Sequence, residues 1–209
     1  MRKDERAAPQ FNSLSERLRY TTRDLTTRIG QEGVRLGLSP DGITLLGLVL
    51  VVVAALLTAF GLFFFAGLVL ILGALLDAVD GAIARAMNRQ NRFGALLDST
   101  LDRYADGFMF FAFAYFYAVR GDTLWMSVAI FALIGAYVVS YVRARAEGLG
   151  IRSIKEGWFD RLVRTVVLVV MLLTGLIVPG LVILAVGNHV TAIQRILVVW
   201  RTTRDDPTA

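Results

Sequence analysis

"GITLLGLVLVVVAALLTAFGLFFFAGLVLILGALL", Gly42 to Leu76, runs for 35 residues without a charged side chain. A hydrocarbon layer about 30 Å thick is crossed by roughly 20 helical residues. The run is therefore too long for one crossing and too short for two unless it turns tightly. "AFGLFFFAG" around Gly61 offers that turn, because glycine adopts turn conformations that other residues resist. The length rule then places spans at about 42–60 and 64–86.

Outward from these two, a third span is expected at about 94–118. It opens polar and ends in the purely apolar "GFMFFAFAYFYAV". A fourth follows at about 123–145. Thr165 to Gln194 is again uncharged and is broken by "VPG" at Pro179 and Gly180, which predicts spans at about 160–178 and 180–200. The expected fold is all-α: a polytopic membrane protein of six transmembrane helices forming one domain over 1–209. A hydrophobic share of 56% is more than a soluble core of this length uses. There is no cysteine, so disulfides and thiolate metal sites are excluded. The charged start, "MRKDERAAPQFNSLSERLRY", predicts no cleavable signal peptide.

Cation placement orients the spans. Of the 22 Lys and Arg, only Arg120 falls on one side; the rest precede the first span or cluster around the second and fourth connections and the C-terminal end. An even number of spans puts both termini on that basic side, the cytoplasm. Between 12 and 36, Leu14, Leu18, Leu25, Ile29, Val34 and Leu36 interleave with five arginines, and Ser13 with Glu16 suits a capping box. This predicts an amphipathic juxtamembrane helix over 12–36 lying on the anionic inner leaflet.

Against this apolar background, five aspartates cluster after Leu76: Asp77, Asp80, Asp98, Asp102 and Asp106. A buried carboxylate needs a cation or a wet cavity. Asp77 and Asp80 are spaced i, i+3 on one helix, and Asp98 and Asp102 i, i+4 on the next, so each pair shares a face. A short connection near 87–93 makes the two helices antiparallel neighbours, and their carboxylates converge at the cytoplasmic end. Hard oxygen ligands without Cys or a nearby His favour Mg²⁺ or Mn²⁺ over zinc. Such carboxylate-held ions grip diphosphates and stabilise in-line displacement at phosphorus. Gly81 with Ala78, Ala82 and Ala84 strips bulk from the same helix, room for a flat nucleotide; small-residue helix packing explains Gly81 and Gly94 equally well.

"DAVDGAIAR", eight residues, "G", three, "D", three, "D" follows D-x-x-D-G-x-x-A-R-x8-G-x3-D-x3-D without a departure. It resembles the CDP-alcohol phosphatidyltransferase family. The resemblance implies an enzyme that joins CDP-diacylglycerol to an alcohol, yielding a phosphodiester lipid and CMP. It implies two Mg²⁺ or Mn²⁺ ions on Asp77, Asp80 and Asp98. Asp102 would be the general base, with a possible metal contact of its own. Gly81, Ala84, Arg85 and Gly94 would line the CDP pocket. "LSPDGITLLG" resembles the family's entry to the first span through Pro40 and Thr44, with Asp41 where the pattern has Asn. A homodimer in the bilayer is implied as well, and no nucleic-acid partner.

The arginines bear on the acceptor. Arg103, Arg143, Arg145, Arg161, Arg164 and Arg195 fall at the level of the carboxylates, and converging guanidiniums suit a phosphomonoester. "DSTLDR", "SYVRARAE", "DRLVR" and "QR" resemble the branch that uses inositol 1-phosphate. Glycerol 3-phosphate is the runner-up acceptor. Two other classes compete: a membrane prenyltransferase, which lacks the G-x3-D-x3-D continuation, and a small cation-coupled transporter using intramembrane aspartates. Asp106 is expected to hold an arginine, and His189 to be a packed side chain.

Overall fold

A computed structural model describes residues 23–87, 92–151 and 157–204. Among these residues all regular structure is helical, in seven elements. They are α1 (Arg23–Arg35), α2 (Pro40–Ala59), α3 (Phe63–Ala86), α4 (Arg92–Ala118), α5 (Thr123–Gly148), α6 (Arg161–Thr174) and α7 (Ile177–Arg204).

Four of these, α2, α3, α5 and α7, are long and apolar enough to cross a membrane. They carry a membrane protein's inverted packing. In α2 the buried residues are Pro40, Gly47, Ala54, Ala55 and Thr58, while Leu45, Leu46, Val49, Val53 and Leu56 are exposed. Small residues face inward so that backbones approach, and large apolar ones face outward where lipid solvates them. The other two expected spans differ. The first turns of α4 hold Asp98, Asp102 and Arg103, too polar for hydrocarbon. α6 has only 14 residues, about 21 Å at 1.5 Å per residue.

The chain turns from α2 to α3 at Gly61, with φ 80°. A Cβ there would lie 2.9 Å from the Phe116 ring, so both conformation and space require glycine. Gly61→Ala is expected to destabilise the fold by about 1–2 kcal/mol, read as a lower thermal midpoint in detergent. The break between α6 and α7 is at Gly175 (φ 74°), not at Pro179–Gly180 as the sequence suggests. Gly175 closes α6 in the left-handed conformation that ends many helices. Pro179 sits in the first turn of α7, where the proline's missing N–H costs no intrahelical bond.

Helices α2 to α7 form a closed ring in the order α2, α3, α6, α7, α5, α4, each packing on two neighbours. The ring's centre is filled by Met109, Phe110 and Phe113 of α4 with Leu181 and Leu184 of α7, all at most 1% exposed. α1 packs outside it on α3. Its buried residues are Gly30 and Gly33, set against Ala82 and Ile83, whereas Ile29 and Leu36 are exposed. The glycine face thus docks on the bundle, and the larger apolar side chains are left pointing outward, as they are in α2. The capping box and positions 12–22 lie outside the described residues.

Candidate active site

α3 ends and α4 begins at the same rim of the ring, which is why the spacing of their aspartates matters. Asp77, Asp98 and Asp102 each offer a carboxylate oxygen, and the three oxygens lie within 4.8 Å of one another. A cation among them offsets their mutual repulsion. Arg161, at the start of α6, fills that role. Its Nη1 and Nη2 donate to both oxygens of Asp77 at 3.2 and 3.0 Å. Nη2 also lies 2.6 Å from Asp102 Oδ1. Three hard carboxylate oxygens, with the Arg161 guanidinium bridging two of the carboxylates, are a donor set that fits a divalent cation. Asp98 and Asp102 are on the first half of α4, which explains that half's polarity.

Asp80 is set apart from these three oxygens. It is buried at 6% exposure, and its Oδ2 accepts from Thr44 Oγ1 at 2.7 Å. Thr44 and Pro40 occupy the first turns of α2, begun by proline at the first helical position. Gly47 and Gly73 face each other across the α2–α3 contact and let these helices approach closely. Gly81, beside Asp80, has open space on its Cβ side except for Arg85 Nη1 at 3.3 Å. Ala84 and Gly94 are half-buried and Asp41 is exposed.

The arginines divide. Arg103 donates to Ser99 O and stands 3.6 Å from Asp102. Arg164 is 2% exposed, and its Nη2 meets Asp106 Oδ2 at 2.7 Å; Asp106 thus holds an arginine. Nε and Nη1 of Arg164 are buried with no hydrogen-bond partner among the described residues. Arg103 lies within electrostatic reach of Asp102, Asp106, Arg161 and Arg164, so these groups share one region. Arg195 of α7, buried at 6%, donates to Val139 O and is within reach of Arg103 and Arg164.

Arg143 also lies within electrostatic reach of Arg195. Arg143 is exposed and pairs with Glu147 one turn on at 2.9 Å, a local i, i+4 contact. Arg145 shares the face of Tyr141 and Leu149 and lines a groove toward Trp200. Arg152 and Lys155 lie outside the described residues. His189 stacks on Phe131 at 3.8 Å, a packed side chain.

Three further contacts shape the site's surroundings, and two of them, those of Tyr137 and Thr191, had no signature in the sequence. Tyr137 OH donates to Arg103 O at 3.0 Å and passes over Gly107, where a Cβ would lie 2.6 Å from it. Asp160 caps α6 by accepting from Val163 N; the "D-R-L-V" start is a readable cap in hindsight. Thr191, fully buried, accepts from Phe159 N.

Known proteins resemble this chain in sequence and fold. The phosphatidylinositol phosphate synthase of Streptomyces avermitilis is 42% identical over 186 residues, covering 82% of this chain and 76% of that one. The phosphatidylinositol phosphate synthase of Mycobacterium tuberculosis, crystallised with CDP-DAG bound, superposes with a TM-score of 0.73 at 33% identity, covering 85% of this chain and 94% of that one. The same synthase in complex with manganese and citrate gives 0.73 at 33%, covering 84% and 88%. Residues 38–200 match the CDP-alcohol phosphatidyltransferase model, a stretch that contains every aspartate and arginine of the site, and the chain belongs to the CDP-alcohol phosphatidyltransferase family.

Proposed function

We propose that this enzyme transfers the phosphatidyl group of CDP-diacylglycerol to inositol 1-phosphate and releases CMP. The observation that carries the acceptor is Arg164: a guanidinium at 2% exposure with two nitrogens lacking a partner. Buried N–H groups without acceptors are costly, and a phosphate monoester supplies the acceptor oxygens that Nε and Nη1 lack. The names of the synthases from S. avermitilis and M. tuberculosis support the same reaction.

In this reading Asp77, Asp80 and Asp98 hold Mg²⁺ or Mn²⁺, with Asp102 at the edge of the set. Those carboxylates would hold the ion against the diphosphate, and it would supply positive charge to offset the charge gained by the leaving CMP. Pro40, Thr44, Gly81, Ala84, Arg85 and Gly94 border the nucleotide. Arg103, Arg161, Arg164 and Arg195 take the acceptor's phosphate. An acceptor hydroxyl attacks the phosphorus bearing the diacylglycerol and gives its proton to the Asp102 carboxylate. The bond from that phosphorus to the bridging oxygen breaks, and CMP leaves with the electron pair.

We read α2 to α7 as six crossings, with α1 at the membrane surface and both termini and the site on the cytoplasmic side. The one-sided distribution of all cations but Arg120 supports this. The family supports a homodimer.

Arg164→Ala would strand Asp106, since removing one partner of a buried pair costs about 3–5 kcal/mol. Arg161→Ala likewise removes the cation between Asp77 and Asp102, so of the remaining two, Arg161→Ala and Arg195→Ala, the latter is the cleaner test. Each is expected to raise the acceptor KM by about ten- to a hundred-fold, the worth of a hydrogen bond to a charged group, with CDP-diacylglycerol KM little changed. Unchanged acceptor KM in both would remove the phosphate from this cluster.

A further inference from the structure

Before α6 the chain is fastened to α7 at three points. Phe159 N donates to Thr191 Oγ1 at 3.0 Å. Gly157, with φ 121°, lies so close that a Cβ would fall 2.5 Å from Thr191 Cγ2. The Phe159 ring covers Gly187, where a Cβ would meet three ring atoms at 2.7–2.8 Å. Gly187, Thr191 and Arg195 follow one another at i, i+4 and i+8, one stripe of α7. Other helical hydroxyls, those of Thr58, Ser140, Thr165 and Thr174, bond the carbonyl four residues back in their own helix. Thr191 instead accepts from a backbone amide 32 residues away.

The position of this fastening gives it a function. Asp160, next after Phe159, caps α6, and Arg161 and Arg164 occupy that helix's first turn. A helix held by its entry residue has its rotation and height set there. Slippage at Phe159 carries both guanidiniums with it, away from Asp77 and Asp102 on one side and Asp106 on the other.

We propose that Thr191, seated with Gly187 under Phe159, is a positioning residue for the acceptor site, acting through the register of α6. The proposal rests on the reading that Arg161 and Arg195 bind the acceptor phosphate. Thr191→Val keeps the shape and removes the accepting oxygen, whereas Thr191→Ser keeps the oxygen. Steady-state transfer is measured for both with Mg²⁺, varying CDP-diacylglycerol and inositol 1-phosphate in turn. Thr191→Val is expected to raise the acceptor KM about five- to tenfold, as the loss of one neutral hydrogen bond, with CDP-diacylglycerol KM unchanged and Thr191→Ser near wild type. A purely structural role would lower the active fraction equally for both substrates and leave both KM values alone; that result overturns the proposal. If Thr191→Val does not fold, Gly187→Ala, which displaces the Phe159 ring, must give the same split. Arg161→Ala and Arg195→Ala run alongside separate the two readings. If they raise acceptor KM and the Thr191 and Gly187 variants do not, the positioning role fails alone. If the arginine variants also leave it unchanged, both readings fall.

Discussion

Asp77→Asn, Asp80→Asn and Asp98→Asn each abolish CMP release while the protein still folds. An amide is a poor ligand for a hard divalent cation, and its loss leaves the diphosphate charge uncompensated. The structure gives the three positions different surroundings. Asp77 and Asp98 sit in the oxygen cluster, Asp77 chelated by Arg161. In Asp80→Asn the carboxamide oxygen still accepts from Thr44, so the α2–α3 contact survives and the loss is chemical rather than structural. The check is CMP release from CDP-diacylglycerol with Mg²⁺, beside thermal unfolding of each variant. Turnover near wild type in any one would take that residue out of the metal set.

Asp102→Asn separates binding from chemistry. General-base loss typically reduces rate by about 10²- to 10⁴-fold, so transfer is lost while metal-dependent affinity for CDP-diacylglycerol persists. Asp102 is well placed for both demands: its side chain is only 12% exposed, and one oxygen is 2.6 Å from Arg161. A base held by the arginine that also takes the acceptor's phosphate would meet the attacking hydroxyl of the same molecule. Equilibrium binding of CDP-diacylglycerol with and without Mg²⁺ checks this. A variant that no longer binds the nucleotide would make Asp102 chiefly a metal ligand.

Features governed by local spacing were legible in the sequence. The turn at Gly61 follows from the length of the uncharged run, and the facing of Asp98 with Asp102 follows from an i, i+4 step. What depends on ring order was not legible. Arg161 reaches Asp77 across 84 residues because α6 packs beside α3. No pattern in "DRLVR" says which helix will be its neighbour. Arg143 and Arg145 carry the same charge as Arg161, and only packing decides that Arg143 pairs with Glu147 and that Arg145 lines the Trp200 groove. The α6–α7 break was misplaced for a local reason. Proline is read as a helix breaker, yet in a first turn it is harmless, and Gly175 four residues earlier carries the left-handed cap. The docking face of α1 was not legible either, because it is made of glycines, which leave no apolar signal beside the juxtamembrane leucines.

The central claim is that clustered arginines at the carboxylate rim select a phosphorylated acceptor. The direct measurement is CMP release by purified protein from CDP-diacylglycerol and Mg²⁺, with inositol 1-phosphate, free inositol or glycerol 3-phosphate as acceptor. The account predicts rapid release with inositol 1-phosphate and little with free inositol, because the latter leaves Arg164 and its neighbours without their anion. Preference for glycerol 3-phosphate would keep the phosphate pocket and change the alcohol. Free inositol used as well as inositol 1-phosphate would contradict the account.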